Sequence, residues 1–128
     1  AARFCESVES AHADHSEQAE IARRLGITAP PVRIDSQCKY GVVSRGEASI
    51  YLRLPKKKDY REKVWDHAAG ALVVTEAGGR VTDIAGRDLD FSHGYTLTEN
   101  RGVIVTNGRL HDAVLETITT LGIGRFDD

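Results

Sequence analysis

The chain has 128 residues, of which 41% are hydrophobic and 28% are charged, and its formal net charge is −2. This length suits one domain with one core, and the near-neutral charge provides no field that would attract nucleic acid or a membrane surface. No apolar run approaches the roughly 20 residues that a membrane span requires. Two cysteines, Cys5 and Cys38, are too few for a disulfide scaffold. The composition therefore predicts a globular protein of a reducing, cytoplasmic setting, with neither nucleic acid nor a membrane as partner.

Strand-like and helix-like patterns alternate along the chain. Runs of β-branched and aromatic residues predict strands at residues 4–9, 32–34, 48–54, 80–84 and 102–106. Apolar residues at helical spacing, bounded by capping residues and glycines, predict helices at residues 16–25, 35–46, 64–77 and 108–121. This alternation predicts an α/β fold in which a mixed β-sheet carries helices on both faces.

The helical spacing also predicts which side of each flanking helix is buried. For the first helix the inward residues are Ala19, Ile21, Ala22 and Leu25. For the last helix they are Leu110, Val114, Leu115 and Ile118.

The stretch from Val64 to Gly79 is predicted to form one helix with a carboxylate at its entrance. Asp66 stands where an N-cap acid would accept the free backbone N–H groups and face the positive end of the helix dipole. Small residues at 68–71 allow close packing at the first turn, and Gly78 favours a left-handed stop. One apolar face is expected to consist of Trp65, Ala69, Leu72, Val73 and Ala77. The plain alternative is a buried helix whose Asp66 is only a cap.

Three polar clusters lie where predicted strands end or helices begin. Ser36 and Lys39 could cradle a phosphate at the start of a helix, although a simple serine cap with a solvated lysine fits the same pattern. Arg53 shares one strand face with Tyr51, and its alternative role is that of a solvent-facing arginine. The histidines of residues 12–15 have a spacing that suits a metal, but surface histidines in a turn are common and no third ligand is nearby.

Two motifs of the central stretch resemble a known signature. Trp-Asp-His-Ala-Ala-Gly at 65–70, followed by Glu-Ala-Gly-Gly at 76–79, is similar to the C-terminal signature of the magnesium-dependent, lithium-sensitive phosphatases of the inositol monophosphatase superfamily. Asp-Ser-Gln-x-Lys-Tyr at 35–40 and Tyr-Leu-Arg-Leu-Pro at 51–55 resemble the 3′(2′),5′-bisphosphate nucleotidase branch. The resemblance extends over nearly the whole chain, so we expect residues 1–128 to form the C-terminal half of that family's layered αβαβα fold.

The resemblance also implies a chemistry. The branch removes the 3′-phosphate of adenosine 3′,5′-bisphosphate, giving AMP, and often also acts on the sulfated form, 3′-phosphoadenylyl sulfate. It implies that Asp66 holds a Mg²⁺ ion at the scissile phosphate. It further implies that the nucleotide is contacted by His12, Ser36, Lys39, Arg53 and Asp66.

The resemblance is incomplete in one respect. The family's other metal ligands come from a Glu-Glu pair and an Asp-Pro-Ile/Leu-Asp-Gly-Thr segment, and neither occurs in this sequence. We therefore expect the chain to be part of a longer protein, to need the N-terminal half of the enzyme as partner, and to show little phosphatase activity alone. The alternatives are a related phosphatase of inositol phosphates or sugar bisphosphates, and a non-catalytic nucleotide-binding module.

Overall fold

The structure is a computed structural model that describes residues 2–6, 15–34, 37–55 and 61–124, with the side chains of the first helix described from Glu17 onward. The strands are β1 (Phe4–Glu6), β2 (Val32–Arg33), β3 (Ile50–Arg53), β4 (Arg80–Thr82) and β5 (Val103–Thr106). The helices are α1 (His15–Leu25), α2 (Cys38–Ser44), α3 (Ala68–Glu76) and α4 (His111–Leu121), and a 3₁₀ turn covers Val64–Asp66. Each predicted strand and helix thus has a counterpart, mostly shorter than predicted.

The five strands form one mixed sheet in the order β2-β1-β3-β5-β4. β1 runs parallel to both β2 and β3, because α1 carries the chain from β1 back to the start of β2. β5 runs antiparallel to both β3 and β4, with Tyr51 opposite Val105 in the register. The predicted mixed sheet is therefore confirmed.

Helices cover the two faces of the sheet separately. On one face α2 and α3 enclose a core that includes Cys5, Tyr40, Val43, Tyr51, Ala71, Val74, Val103 and Val105. On the other face α1 and α4 enclose a second core that includes Phe4, Ile21, Ile50, Leu52, Ile104, Val114 and Ile118. Alternate residues of β3 enter opposite cores, which is the period-two pattern of a strand buried on both sides. The prediction of helices on both faces is confirmed.

The buried side of α1 differs from the prediction at one turn. Ile21 is fully buried, as expected, but Ala19 is exposed and the polar Gln18 takes an inward position. Gln18, Ile21, Ala22 and Leu25 have the i, i+3, i+4, i+7 spacing of one helix face. A buried glutamine therefore stands where the helical pattern would favour an apolar residue.

The prediction of one continuous helix across the central stretch is wrong. Lys63 is extended and bridges Thr96, so the chain enters the 3₁₀ turn from a strand-like direction, and His67 leaves helical geometry before α3 begins. Asp66 is the last residue of the 3₁₀ turn, and its carboxylate does not cap α3. Gly78, with φ of +91°, ends the helix as predicted.

The buried face of α3 is also not the predicted one. Gly70, Ala71 and Val74 face the core, whereas the five residues assigned to the apolar face are all exposed: Trp65, Ala69, Leu72, Val73 and Ala77. The reason is the close approach of α2, whose Tyr40 ring lies against Gly70 and leaves no room for a larger residue. The helix therefore packs through its small side and leaves a large apolar side uncovered.

Buried polar groups organise the loop between β4 and β5. Asp83, fully buried, accepts hydrogen bonds from the backbone N–H groups of Ala85 and Arg87, and the Asn100 side-chain amide donates to its other oxygen. Asn100 in turn accepts from the N–H of Asp90. This loop is thus tied to the sheet edge. Among the described residues, no helix has the length and apolarity that crossing a membrane requires.

Candidate functional site

Lys39 and Arg53 reach the same face of the sheet from α2 and from the end of β3. Lys39 is only 3% exposed, and its Nζ lies 5.3 Å from the centre of the Tyr51 ring. Arg53 follows Tyr51 by two residues on the same strand face and is partly buried. The alternative of a solvated Lys39 is therefore wrong. Arg53 is partly exposed, so it faces solvent with only part of its side chain.

A chain of side-chain contacts runs from Arg53 into the core. Arg53 Nε lies 3.3 Å from Glu62 Oε1, and the same carboxylate oxygen lies 2.8 Å from His67 Nε2. His67 Nδ1 lies 2.5 Å from the Tyr40 hydroxyl oxygen. All of these groups except Arg53 are buried. Since carboxylates accept hydrogen bonds, His67 donates through Nε2–H, and its Nδ1 accepts from the Tyr40 hydroxyl when the ring is neutral.

The titration of these groups follows from their surroundings. Burial alone would raise the pKa of Glu62, but the hydrogen bond from His67 and the charge of Arg53 outweigh it, and the pKa lies below its usual value. Burial raises the pKa of both Tyr40 and Tyr51, so both phenols stay protonated at neutral pH. The network therefore presents an ionised Glu62 between a cationic Arg53 and a hydrogen-bonded His67.

Gln37 connects the two motifs that carry the sequence resemblance. Its side-chain oxygen accepts a hydrogen bond from Gly70 N at 2.8 Å, and its side-chain nitrogen donates to Trp65 O at 3.0 Å. The N–H of Gly70 belongs to the first turn of α3, where it has no partner within the helix. Gln37 therefore caps α3 from another element and fixes the turn that carries Asp66.

Asp66 projects from that turn toward solvent. It is exposed, and no described residue donates a hydrogen bond to its carboxylate or forms an ion pair with it. Its charge is close enough to contribute to the raised pKa of Tyr40, after larger contributions from burial and from other groups. Beside it, the rings of Trp65 and Tyr95 lie 6.1 Å apart and are both exposed. Asp66 thus combines an available carboxylate with a fixed backbone position.

A single carboxylate such as that of Asp66 can supply one ligand to a metal ion. Mg²⁺ takes oxygen ligands in octahedral geometry, usually from one or two carboxylates with water and phosphate. Asp66 fits this chemistry, but among the described residues no three His, Cys, Asp or Glu side chains cluster to hold a metal ion.

The structure thus brings Lys39, Arg53 and Asp66 around the buried Tyr40–Tyr51 pair, whose rings meet edge to face at 5.3 Å. His12 and Ser36 lie outside the described residues, as do residues 56–60.

Sequence reasoning gave no role to the groups that hold this arrangement, namely Gln37, Tyr40, Glu62 and His67. One feature of the sequence could have indicated these contacts: the ionisable residues Glu62 and His67 stand five positions apart and flank the Trp-Asp dipeptide.

Comparison with known proteins identifies the family and the fold. The model of the inositol monophosphatase family matches residues 1–122, so the chain belongs to that family. Solved structures share the fold: an IMPase of Thermotoga maritima is 21% identical with a TM-score of 0.65, over 94% of this chain and 41% of that one. An inositol monophosphatase from Anabaena is 20% identical with a TM-score of 0.63, over 93% of this chain and 43% of that one.

Curated relatives are considerably more similar in sequence. The 3′(2′),5′-bisphosphate nucleotidase of Emericella nidulans is 55% identical over 115 residues, which are 90% of this chain and 33% of that protein. The protein of the same name from Oryza sativa is 56% identical over 91% of this chain and 32% of its own length. The one from Schizosaccharomyces pombe is 50% identical over 89% and 32%, respectively. The chain therefore spans about a third of the length of the curated relatives it matches.

Proposed function

We propose that this chain forms the nucleotide-binding wall of a magnesium-dependent 3′(2′),5′-bisphosphate nucleotidase, which hydrolyses adenosine 3′,5′-bisphosphate to AMP and phosphate. The observation that carries this proposal is the convergence of a buried Lys39, a partly buried Arg53 and an available Asp66 around one pair of tyrosines. The names of relatives at 50–56% identity support the substrate class. The sulfated nucleotide is a second candidate substrate, and a cytoplasmic setting fits two cysteines that form no disulfide.

The charges of the site suit such a substrate. A nucleotide with two phosphates carries about three to four negative charges at neutral pH. Lys39 and Arg53 offset part of this charge, and Arg53 is oriented by Glu62. Because Glu62 also binds His67, the guanidinium is held by a buried network and needs little reorganisation when a phosphate binds. His12 and Ser36 are proposed to complete the nucleotide contacts.

Asp66 is proposed to be the ligand that this chain gives to Mg²⁺. A bound Mg²⁺ supplies positive charge at the phosphoryl oxygens and lowers the pKa of a coordinated water. The chain's own contribution is to hold the Asp66 carboxylate at a fixed position, which Gln37 secures through Trp65 and Gly70. The remaining ligands are proposed to come from the N-terminal half of the enzyme.

The uncovered side of α3 is consistent with such a second half. Trp65, Leu72 and Val73 are 59%, 61% and 49% exposed and lie beside Asp66 or on the helix that follows it. Large apolar side chains grouped on one surface commonly mark an interaction site. We propose that the N-terminal half covers this surface, which would also bring its metal ligands toward Asp66.

The test is phosphate release from adenosine 3′,5′-bisphosphate with Mg²⁺, on samples whose intact mass is verified. The chain alone is expected to be inactive, activity is expected on adding the N-terminal half, and Asp66→Asn is expected to abolish it. Glu116→Gln, which alters an exposed carboxylate of α4 on the other face of the sheet, is the matched control and should retain activity. Robust turnover by the chain alone, or full activity of Asp66→Asn, would contradict the proposed site.

Two alternatives are separated by the same assay. Preferential turnover of inositol 1-phosphate or of a sugar bisphosphate would make the chain part of another phosphatase of the family. Binding of AMP that does not depend on Mg²⁺, without turnover in the presence of the N-terminal half, would indicate a non-catalytic nucleotide-binding module.

A further inference from the structure

A cleft lies on the opposite face of the sheet from Lys39, Arg53 and Asp66. It is enclosed by α1, the ends of β1 and β2, and the segment that joins α1 to β2, and its volume is about 570 Å³. That volume falls within the roughly 300–1,000 Å³ of small-molecule sites in proteins. Its apolar walls are formed by Phe4, Ala19, Ala22, Ile27, Ala29, Pro30 and Pro31.

Gln18 is the unusual residue of this cleft. It is 7% exposed, it lines the cleft, and no described residue forms a hydrogen bond with its side-chain amide. A buried amide without a partner costs on the order of 1–3 kcal/mol. Gln18 also stands in the inward stripe of α1, next to the fully buried Ile21, where an apolar residue would be more stable. A bound ligand could therefore supply the hydrogen-bond partner of the Gln18 amide.

Charged residues of opposite sign lie at different depths of the cleft. Glu6 is buried at the end of β1, and its Oε1 lies 3.7 Å from Nε of the exposed Arg33. Arg23 stands on the α1 side of the cleft, also exposed, and pairs with Glu20. The buried part of the cleft thus contains a carboxylate and an amide, whereas guanidinium groups lie at its exposed margin.

We propose that this cleft binds an amino-substituted purine base, with any attached phosphate at Arg33. A carboxylate in the buried part accepts hydrogen bonds and repels anions, so the edge of the ligand that enters must donate. The Gln18 amide offers a donor and an acceptor side by side, which matches the adjacent amino group and ring nitrogen of adenine. The exposed apolar surfaces of Pro30 and Pro31 suit an aromatic ring.

This site is independent of the proposed active site, because the sheet separates the two. Its occupation does not require Mg²⁺, the N-terminal half or phosphatase activity. A failure here would therefore leave the proposed function intact, and the loss of phosphatase activity in Asp66→Asn would leave the cleft intact.

The experiment is a titration of the ¹⁵N-labelled 128-residue chain with adenine, AMP and inorganic phosphate, followed by amide chemical shifts. Adenine and AMP are expected to produce saturable shifts at Gln18, Ala22 and Ile27, and AMP should bind more tightly. Inorganic phosphate alone should leave these amides unchanged. No shift at these residues at millimolar adenine, or equal shifts with phosphate alone, would overturn the proposal.

Two variants distinguish binding from folding. Gln18→Leu should weaken adenine binding by tenfold or more while raising the melting temperature by several degrees, because it replaces a buried amide that has no partner among the described residues with an apolar group. Ala22→Phe should fill the cleft and also abolish binding. Arg45→Met, at the far end of α2, is the matched control and should bind as the unaltered chain does. Unchanged adenine affinity in a folded Gln18→Leu chain would overturn the proposal.

Discussion

The ring of Tyr40 lies directly on Gly70, so that a Cβ atom at Gly70 would come within 2.8 Å of Tyr40 Cβ and closer still to the ring. Gly70→Ala must therefore separate α2 from α3 or move the Tyr40 hydroxyl away from His67. Overpacking of this kind costs about 1–3 kcal/mol, which outweighs the roughly 1 kcal/mol that alanine gains over glycine in a helix. We expect a lower free energy of unfolding in urea.

Gly41 provides the matched control for this prediction. It lies in α2, and nothing comes within 4 Å of a Cβ atom placed there. Gly41→Ala should therefore stabilise the chain by up to about 1 kcal/mol through helix propensity alone. Equal effects of the two substitutions would show that contact with Tyr40 does not limit residue 70.

The difference between the predicted and the observed buried side of α3 shows what helical periodicity can and cannot predict. Helical spacing identified the helix, but it pointed Leu72 and Val73 inward, because spacing cannot decide which of two apolar sides another helix will meet. Contact with Tyr40 selected the side of Gly70. The strands were easier to predict, because a strand buried on both faces needs only a short apolar run between turns.

The family resemblance singled out the charged residues of the candidate site but not the contacts that support them. Lys39, Arg53 and Asp66 stand at strand ends and helix entrances, where sequence patterns are informative. Gln37 and Gly70 are separated by 33 positions, and their hydrogen bond depends on how two helices pack. No local pattern specifies such a contact, so only the structure reveals it.

The role of Gln37 can be tested at the backbone of α3. Gln37→Leu removes the acceptor of the Gly70 N–H and the donor to Trp65 O. We expect amide hydrogen exchange at Gly70 to accelerate by tenfold or more, since its N–H would lose its partner. The Ala71 N–H, which donates to His67 O, is the internal control and should change much less. An equal acceleration at both amides would indicate general unfolding instead.

The two cysteines should differ strongly in reactivity. Burial raises the pKa of the Cys5 thiol to about 11, partly offset by the charge of Lys39, so almost no thiolate forms at pH 8. Cys38 is exposed at the start of α2. A thiol reagent at pH 8 should therefore modify one cysteine in the folded chain and two in urea. Cys38→Ser is expected to remove the fast reaction, and a fast reaction in that variant would contradict the burial of Cys5.

Lys39 should act mainly on substrate binding in the proposed enzyme. A charge-assisted hydrogen bond contributes about 1.5–3 kcal/mol, which corresponds to roughly tenfold to a hundredfold in affinity. In the enzyme assembled from this chain and the N-terminal half, Lys39→Met should raise KM for adenosine 3′,5′-bisphosphate more than it lowers kcat. Arg45→Met, an exposed cation just beyond α2, should leave KM unchanged. A normal KM in folded Lys39→Met would remove Lys39 from the nucleotide contacts.

His111 should make the stability of the chain depend on mildly acidic pH. Its Nε2 lies 2.7 Å from Thr82 Oγ1 and its Nδ1 lies 2.9 Å from Thr106 Oγ1, both in the core. Thr82 donates its hydroxyl proton to Asp83 O, so it accepts from His111 Nε2–H and the neutral ring satisfies both contacts. Burial, followed by the charge of Arg80, lowers the pKa of His111 to about 4, and Asp112 opposes this only in part.

The direction of the pH effect follows from this lowered pKa. Above the unfolded value of 6.5 the ring is neutral in both states, and its contribution to stability is fully present. As the pH falls from 6.5 to about 4, His111 binds a proton in the unfolded chain but stays neutral in the folded chain. The free energy of unfolding therefore falls by on the order of 1–3 kcal/mol. Urea unfolding across this range should show less loss in His111→Gln, which cannot titrate, than in the unaltered chain. His93→Gln, which alters an exposed histidine, should keep the full slope, and an equal slope in His111→Gln would assign the pH effect to other groups.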